Sequence, residues 1–194
     1  ILFCGLAVVE GTFYSCIYIA SAGGNAQYYA PVLDLAGKIP GDGLARVKMD
    51  QKFFDVNLVG SMGYGSLSHY TSLTAKDYLS AMKKLGYSSY WMEVNSNGGT
   101  KFTDAILGNG YTIRRTEDLT GDESAVYGNG LYSIVKNRNA LPVGFVADPR
   151  DVRALECLPD SDRLHLQQFL FQRLFRTGQE LFTFYRPTGL RNVG

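Results

Sequence analysis

The sequence predicts an α+β fold: a mixed sheet with short covering helices, preceded by an N-terminal apolar helix of membrane type. Three observations carry this. Residues 1–22 form an apolar stretch with one charge, Glu10, close to the roughly 20 residues a helix needs to cross a bilayer. After it, short alternating segments and short helical stripes follow one another, separated by glycine-rich turns. Hydrophobic residues make up 45% of the 194 and charged residues 19%, enough apolar material for a packed core.

The chain divides into 1–22 and 23–194. Residues 1–22 admit a pair of readings, a buried core helix and the outgoing end of a transmembrane helix whose Glu10 faces neighbouring helices. The first basic residue is Lys38, so the flank after the apolar stretch lacks the positive charge of a cytoplasmic side. If the helix spans, the remainder is expected outside the cytoplasm. The apolar start without Met or a basic leader reads as a chain cut from something longer, and its C-terminal end as truncated too.

Beyond the apolar stretch, residues 25–36 predict a short helix, starting at Pro31 because proline suits a first turn. A loop at 39–43 ends it. Residues 44–49 alternate as a strand, with Leu44, Arg46 and Lys48 against Ala45, Val47 and Met49. The run 53–72 is too broken by glycine for a helix and predicts short strands around a turn at 63–65. Residues 74–85 predict a helix capped by Thr74, with Tyr78, Leu79, Met82 and Leu85 on one face and Gly86 ending it.

A strand at 87–94, a turn at 95–99, a short helix at 102–107 closed by Gly108 and a strand at 111–115 come next. A polar loop over 116–130, strands at 131–136 and 141–147, and a turn at 148–151 lead to a helix at 162–176. That last helix offers Leu164, Phe169, Phe171, Leu174 and Phe175 for packing.

The chemistry-bearing residues are sparse. A net charge of +1 offers no field for nucleic acid, and none is expected as a partner. Cys4, Cys16 and Cys157 form no C-x-x-C pair and the two histidines, His69 and His165, are far apart, which disfavours a zinc site. Glycines at 60, 63 and 65 lack the Gly-Lys-Ser/Thr ending of a phosphate loop. Ser66, Ser68 and His69 lack a nucleophile elbow, and strand alternation sends Ser68 and His69 to opposite faces, so His69 reads as a hydrogen-bonded or surface histidine. Carboxylates at Asp50, Asp55, Asp104, Glu117, Asp118, Asp122 and Glu123 show no facing pair. No catalytic residue, cofactor or metal is expected. One softer signal remains: Tyr64, His69, Tyr70 and residues 87–91 set aromatics beside Ser, Asn and Gly. These stack on sugar rings or, as the weightier reading, build an aromatic core with glycine turns.

Four segments in order resemble the YfhO-like bacterial membrane protein family. They are ARVKMD at 45–50 leading through 55–57 to GYGSLSHYTS at 63–72; GGT at 98–100 through DAILG at 104–108 to Tyr111; 132–137 with NALP at 139–142 and Gly144-Phe145; and Gln167-Gln168 through Gly178 to Leu181-Phe182. Thr71 stands where the family has Ser, and Gln168 where it usually has Asn.

The resemblance implies a multi-pass membrane protein similar to C-type glycosyltransferases of the cell envelope, which use lipid-phosphate sugar donors outside the cytoplasm. It also implies that the catalytic acid lies in a loop absent from this chain. The domain would then handle a cell-envelope polymer acceptor or a lipid-linked sugar. Asn57, Tyr64, His69, Tyr70 and Ser72 are the candidate glycan or acceptor contacts. The alternative is a non-catalytic scaffold domain of a membrane protein in envelope assembly.

Overall fold

The computed structural model describes residues 2–23, 26–40, 44–50, 56–121, 123, 125–153 and 162–185. Asn25, residues 41–43 of the expected 39–43 loop, the start of the 53–72 run with Asp55, Asp122 and Cys157 lie outside the described residues.

Helix α1 (Leu2–Gly23) is continuous, and the span Phe3–Ser21 is long and apolar enough to cross a membrane. Among the described residues, its side chains from Phe3 to Ser21 are exposed. A core helix would bury a stripe, and none is buried over that span. Cys4 and Cys16 are exposed along it.

Two sheets follow. Sheet A has the order β1-β5-β7-β6, from β1 (Arg46–Met49), β5 (Asn109–Arg115), β7 (Tyr132–Lys136) and β6 (Ala125–Gly128). Its β1–β5 pair is parallel and the other two pairs are antiparallel, so the sheet is mixed as expected. Sheet B is antiparallel, β2-β4-β3, from β2 (His69–Tyr70), β4 (Glu93–Gly98) and β3 (Tyr87–Tyr90).

One face of sheet A is apolar: Val47, Met49, Tyr111, Ile113 and Ile134 join Val32 of α2 (Ala26–Leu33), Leu35 in the turn after it and Val59 of α3 (Leu58–Ser61). Eight residues are too few for an independent helix, so burial of Val32 and Leu35 holds α2, at roughly 1.5–3 kcal/mol per side chain. Pro31 sits in the last turn of α2 rather than opening it. Only one intrahelical bond is lost there, because so short a helix has few to lose. Asp34 then ties α2 to the β6–β7 hairpin, accepting from Tyr127 Oη at 2.8 Å and Asn129 Nδ2 at 3.3 Å. Those two bonds hold its carboxyl below the usual range.

Helix α4 (Lys76–Lys84) covers sheet B, with Met82 buried and Tyr78, Leu79 and Leu85 packed beside it, as the stripe predicts. Its N-cap is Ala75, not Thr74, whose hydroxyl is instead drawn into the preceding turn. Gly86 ends the helix at φ 93°. A third cluster joins α5 (Lys101–Ile106) to α7 (Arg163–Phe175) through Phe102, Ile106 and Leu170. Thr100 caps α5 with a full capping box, Gly108 closes it at φ 69°, and Asp162 caps α7. Helix α6 (Pro149–Arg153) extends the expected 148–151 turn.

Several expectations are corrected. The 58–61 stretch is helical despite Gly60, because Val59 is driven into the sheet A core. The strand at 87–94 is broken by a turn at Trp91-Met92, and the expected turn at 95–99 is mostly strand β4. The polar loop holds β6, which pairs with β7. Residues 141–147 form no strand; Leu141 instead packs on α5 and α7. On α7 the buried face is Leu166, Gln167, Gln168 and Leu170, while Leu164 and Phe175 are about half exposed.

The two glutamines are buried because the oxygen and the nitrogen of each side-chain amide are bonded. Gln167 accepts from Thr100 Oγ1 at 2.6 Å and donates to Leu85 O at 3.1 Å. Gln168 donates to Gln179 O and accepts from the amides of Leu181 and Phe182. The first joins α7 to α4 and α5, and the second fastens the segment after α7 back onto it.

The other face of sheet A is polar and is locked to sheet B. Lys48, 5% exposed, donates to Asp104 Oδ2 and Gly98 O, both at 2.8 Å. Asp104 Oδ1 accepts from Tyr87 Oη at 2.7 Å and Asn109 Nδ2 at 2.9 Å. Burial, and then the neighbouring Asp104 carboxylate, push the Tyr87 phenol far up, so it stays a neutral donor. Ser96 completes the lock, its hydroxyl accepting from Met49 N at 3.2 Å and contacting Ser68 Oγ at 2.7 Å.

Candidate functional site

The five sequence-predicted residues fall into two places. Tyr64 lies against the sheet A core, and its hydroxyl closes the end of α2. It donates to Leu35 O at 2.6 Å and accepts from the amides of Lys38 at 2.9 Å and Ile39 at 3.3 Å. These groups are left over where a helix ends, and one phenol satisfies three of them. Tyr64→Phe is therefore expected to cost about 1–2 kcal/mol in urea unfolding of the full chain in detergent, since it removes three bonds and strands the Ile39 amide, while Lys38 N and Leu35 O keep only their bond to each other at 3.3 Å. A loss within a few tenths of a kcal/mol would show that water replaces the phenol.

Asn57, His69, Tyr70 and Ser72 gather instead around β2, an edge strand of sheet B. Asn57 stands at the start of α3 but does not cap it. Its side chain turns to the open edge of β2, where Oδ1 accepts from Tyr70 N at 2.8 Å and Nδ2 donates to Tyr70 O at 3.2 Å. One amide thus imitates a neighbouring strand and blocks an edge that would otherwise recruit another chain.

His69 is half-buried, with Nδ1 3.3 Å from Leu67 O and Nε2 3.2 Å from Thr74 Oγ1. A carbonyl only accepts, so the Nδ1 contact needs the proton on Nδ1; the Thr74 hydroxyl also lies 3.0 Å from Thr71 O, and its one proton serves that carbonyl or Nε2 at a time. Tyr78 lies beside it at 5.4 Å between centroids. Both nitrogens are engaged, as the hydrogen-bonded reading expects, and Ser68 on the opposite face is buried and bonded to Ser96. Ser72 is exposed in the turn that follows β2.

Next to Tyr70 the structure sets residues that are far from it in sequence. The β3–β4 hairpin turns on Trp91 and Met92, between the paired Tyr90 and Glu93. Trp91 holds φ 54°, a conformation that glycine or asparagine adopts readily and tryptophan does not. Its ring meets Tyr70 edge-on at 6.5 Å. Leu73 is 93% exposed, Tyr90 83% and Trp91 66%, so this end of sheet B presents uncovered aromatic and aliphatic surface.

The aromatic run at 87–91 is thereby split. Tyr87 belongs to the core and Tyr90 and Trp91 to the surface, because β3 alternates. The signal that could have found Trp91 was weak: a tryptophan between two short alternating segments.

An apolar helix long enough to cross a bilayer thus precedes the α+β domain. The family model described as Bacterial membrane protein YfhO matches residues 41–193, and the chain belongs to that family. No curated protein and no solved structure matches the chain.

Proposed function

We propose that residues 23–194 are an extracytoplasmic domain of a multi-pass bacterial membrane protein similar to C-type glycosyltransferases of the cell envelope. The domain handles the acceptor or glycan, and catalysis resides outside this chain. The Asn57, His69, Tyr70 and Ser72 turn is the contact surface, extended by Trp91, with Tyr64 holding the α2 end behind it. Support for the orientation comes from the absence of Lys or Arg before Lys38 on the flank of α1.

The observation that carries the reading is the uncovered Tyr70–Trp91 pair, with Trp91 kept in an unfavourable backbone conformation on the surface. Strain at an exposed aromatic gives nothing to the core, so it points to contact with a ligand. Faces of this kind stack on sugar rings while neighbouring Asn and Ser reach hydroxyls.

Trp91 is the single tryptophan, so its emission reports this surface alone. Titration of the full chain in detergent with chito-, malto- and cello-oligosaccharides is expected to give a saturable change in that emission with at least one of them. Tyr70→Ala should weaken it about tenfold, the loss of roughly 1.4 kcal/mol of stacking. In cells, Trp91→Gly in the full-length parent should fold at least as well and lose envelope glycan. No emission change with any oligosaccharide, together with normal glycan in the Trp91→Gly strain, sinks the proposal.

A further inference from the structure

The polar face of sheet A opens into a cleft of about 360 Å³, distant in sequence from the aromatic turn. Its carboxylates are already paired. Asp104 is held by Lys48 at 2.8 Å, while Asp50 and Glu123 share Arg114 at 3.1 and 2.7 Å. Burial works to raise the Glu123 carboxyl, but bonds from Thr120 and the charges of Arg114 and Lys101 outweigh it and hold the group low. It therefore remains an anion for Arg114 at neutral pH.

Three further cations, Lys101, Lys136 and Arg138, line the same cleft, and among the described residues none has an ion-pair or hydrogen-bond partner. With Arg114, four cations line the cleft beside three carboxylates, and one of those, Asp104, is already neutralised by Lys48 behind it. Among the described residues the cleft therefore carries an excess of about two positive charges. Gathering like charges around one hollow is unfavourable unless an anion joins them. A polar atom also lacks its partner: Arg114 Nε is buried with no acceptor, while the two other nitrogens of its fork hold the carboxylates. The Thr112 hydroxyl lies on the same lining as a neutral donor.

We propose that this cleft binds a phosphate-class oxyanion, held by Lys101, Lys136 and Arg138 at the rim and by the Nε–H of Arg114 at the floor. A carboxylate carries one charge and needs one cation; a phosphate monoester carries about 1.5–2, close to the excess present. Guanidinium nitrogens suit its oxygens through short charge-assisted bonds. A terminal phosphomonoester and a phosphodiester link share this chemistry, and the two are separated by the probes.

The experiment is calorimetric titration of the full chain in a neutral detergent with methyl phosphate and, separately, dimethyl phosphate. Saturable binding of methyl phosphate is expected, weakened about tenfold by Lys136→Ala and by Arg138→Ala. Lys76→Ala, on α4 outside the cleft, should leave it unchanged. A parallel spectroscopic readout is the Arg114 Nε–H proton signal, which should move downfield on saturation. Equal affinity for dimethyl phosphate assigns a diester ligand, and a preference for methyl phosphate assigns a monoester terminus. The proposal is overturned if neither probe saturates, or if the rim variants bind as the parent does. Both rim side chains are exposed, so the variants keep the fold. The aromatic turn uses none of these residues, so either site can fail alone.

Discussion

Asp104→Ala is expected to destabilise the domain by about 3–5 kcal/mol, the range seen when one partner of a buried pair is removed. The carboxylate accepts three bonds: from Lys48, from the Tyr87 phenol and from Asn109. Side-chain exposures are 7% for Lys48 and 15% for Asp104, so water does not take over. Without the carboxylate the ammonium keeps the Gly98 carbonyl but no counter-charge, and a buried phenol and an amide lose their acceptor. Since Lys48 bridges from sheet A to the end of β4, both sheets should loosen together. Asp104→Asn keeps an acceptor but not the charge and should fall between. The double change Lys48→Met with Asp104→Leu removes both charges, so it should lose much less than the sum of the single changes. Urea unfolding of the full chain in detergent measures all of these. A loss below about 1 kcal/mol for Asp104→Ala would show that the pair is solvated and the network dispensable.

Gly99→Ala is expected to cost about 3 kcal/mol, from two separable causes. Gly99 holds φ +71°, where an L side chain adds about 1–2 kcal/mol of strain. A Cβ there would also lie 2.6 Å from Tyr87 Cζ and 2.9 Å from Thr103 Oγ1. Neither neighbour can yield: Tyr87 is 1% exposed and Thr103 fully buried, and both are tied by hydrogen bonds. Overpacking of this kind typically costs about 1–3 kcal/mol. Gly130→Ala supplies the comparison, because Gly130 has φ +89° and nothing within 4 Å. It should show the backbone strain alone. If the two alanine variants unfold at the same urea concentration, the Tyr87 site has slack and the contact argument fails.

What could be read from the sequence was local. The apolar stretch of α1, the stripe of α4 and the stops at Gly86 and Gly108 depend on neighbours within a few residues, and each stands in the structure. Elements whose reason lies elsewhere in the chain were hidden. Strand β6 exists because β7 lies beside it, and α3 because Val59 has a core to enter. On α7 the expected Phe171 and Leu174 do pack against α5, but the most buried positions were missed for the same reason. Gln167 and Gln168 count as polar in any periodic pattern, yet they are buried because Thr100, Leu85 and the 179–182 segment bond them. The family resemblance had already singled out that glutamine pair.

At the candidate site, alternation correctly separated Ser68 from His69. The Asn57 clasp on Tyr70 depends on a helix the glycines seemed to forbid. The cleft was hidden, since its rim joins Lys101 of α5, Lys136 at the end of β7 and Arg138 just after it, residues far apart in sequence.

Most partners of β1 lie far ahead of it along the chain, the nearest being Gly65, whose carbonyl accepts from Val47 N at 2.8 Å. Arg46 reaches Leu107 O, Lys48 reaches Gly98 O, Met49 N reaches Ser96 Oγ, and the strand ladder itself runs along 109–113. While the protein is being synthesised, β1 is therefore complete well before its ladder partner β5 exists. At about 5–20 residues per second, Val47 and Met49 wait roughly 3–13 seconds for it. Throughout that interval they have only Val32, Leu35, Val59 and Met62 of their cluster to pack on. Delivery of β5 ends the wait, and the rate of elongation through 50–113 sets how long the nascent domain is open to mispairing.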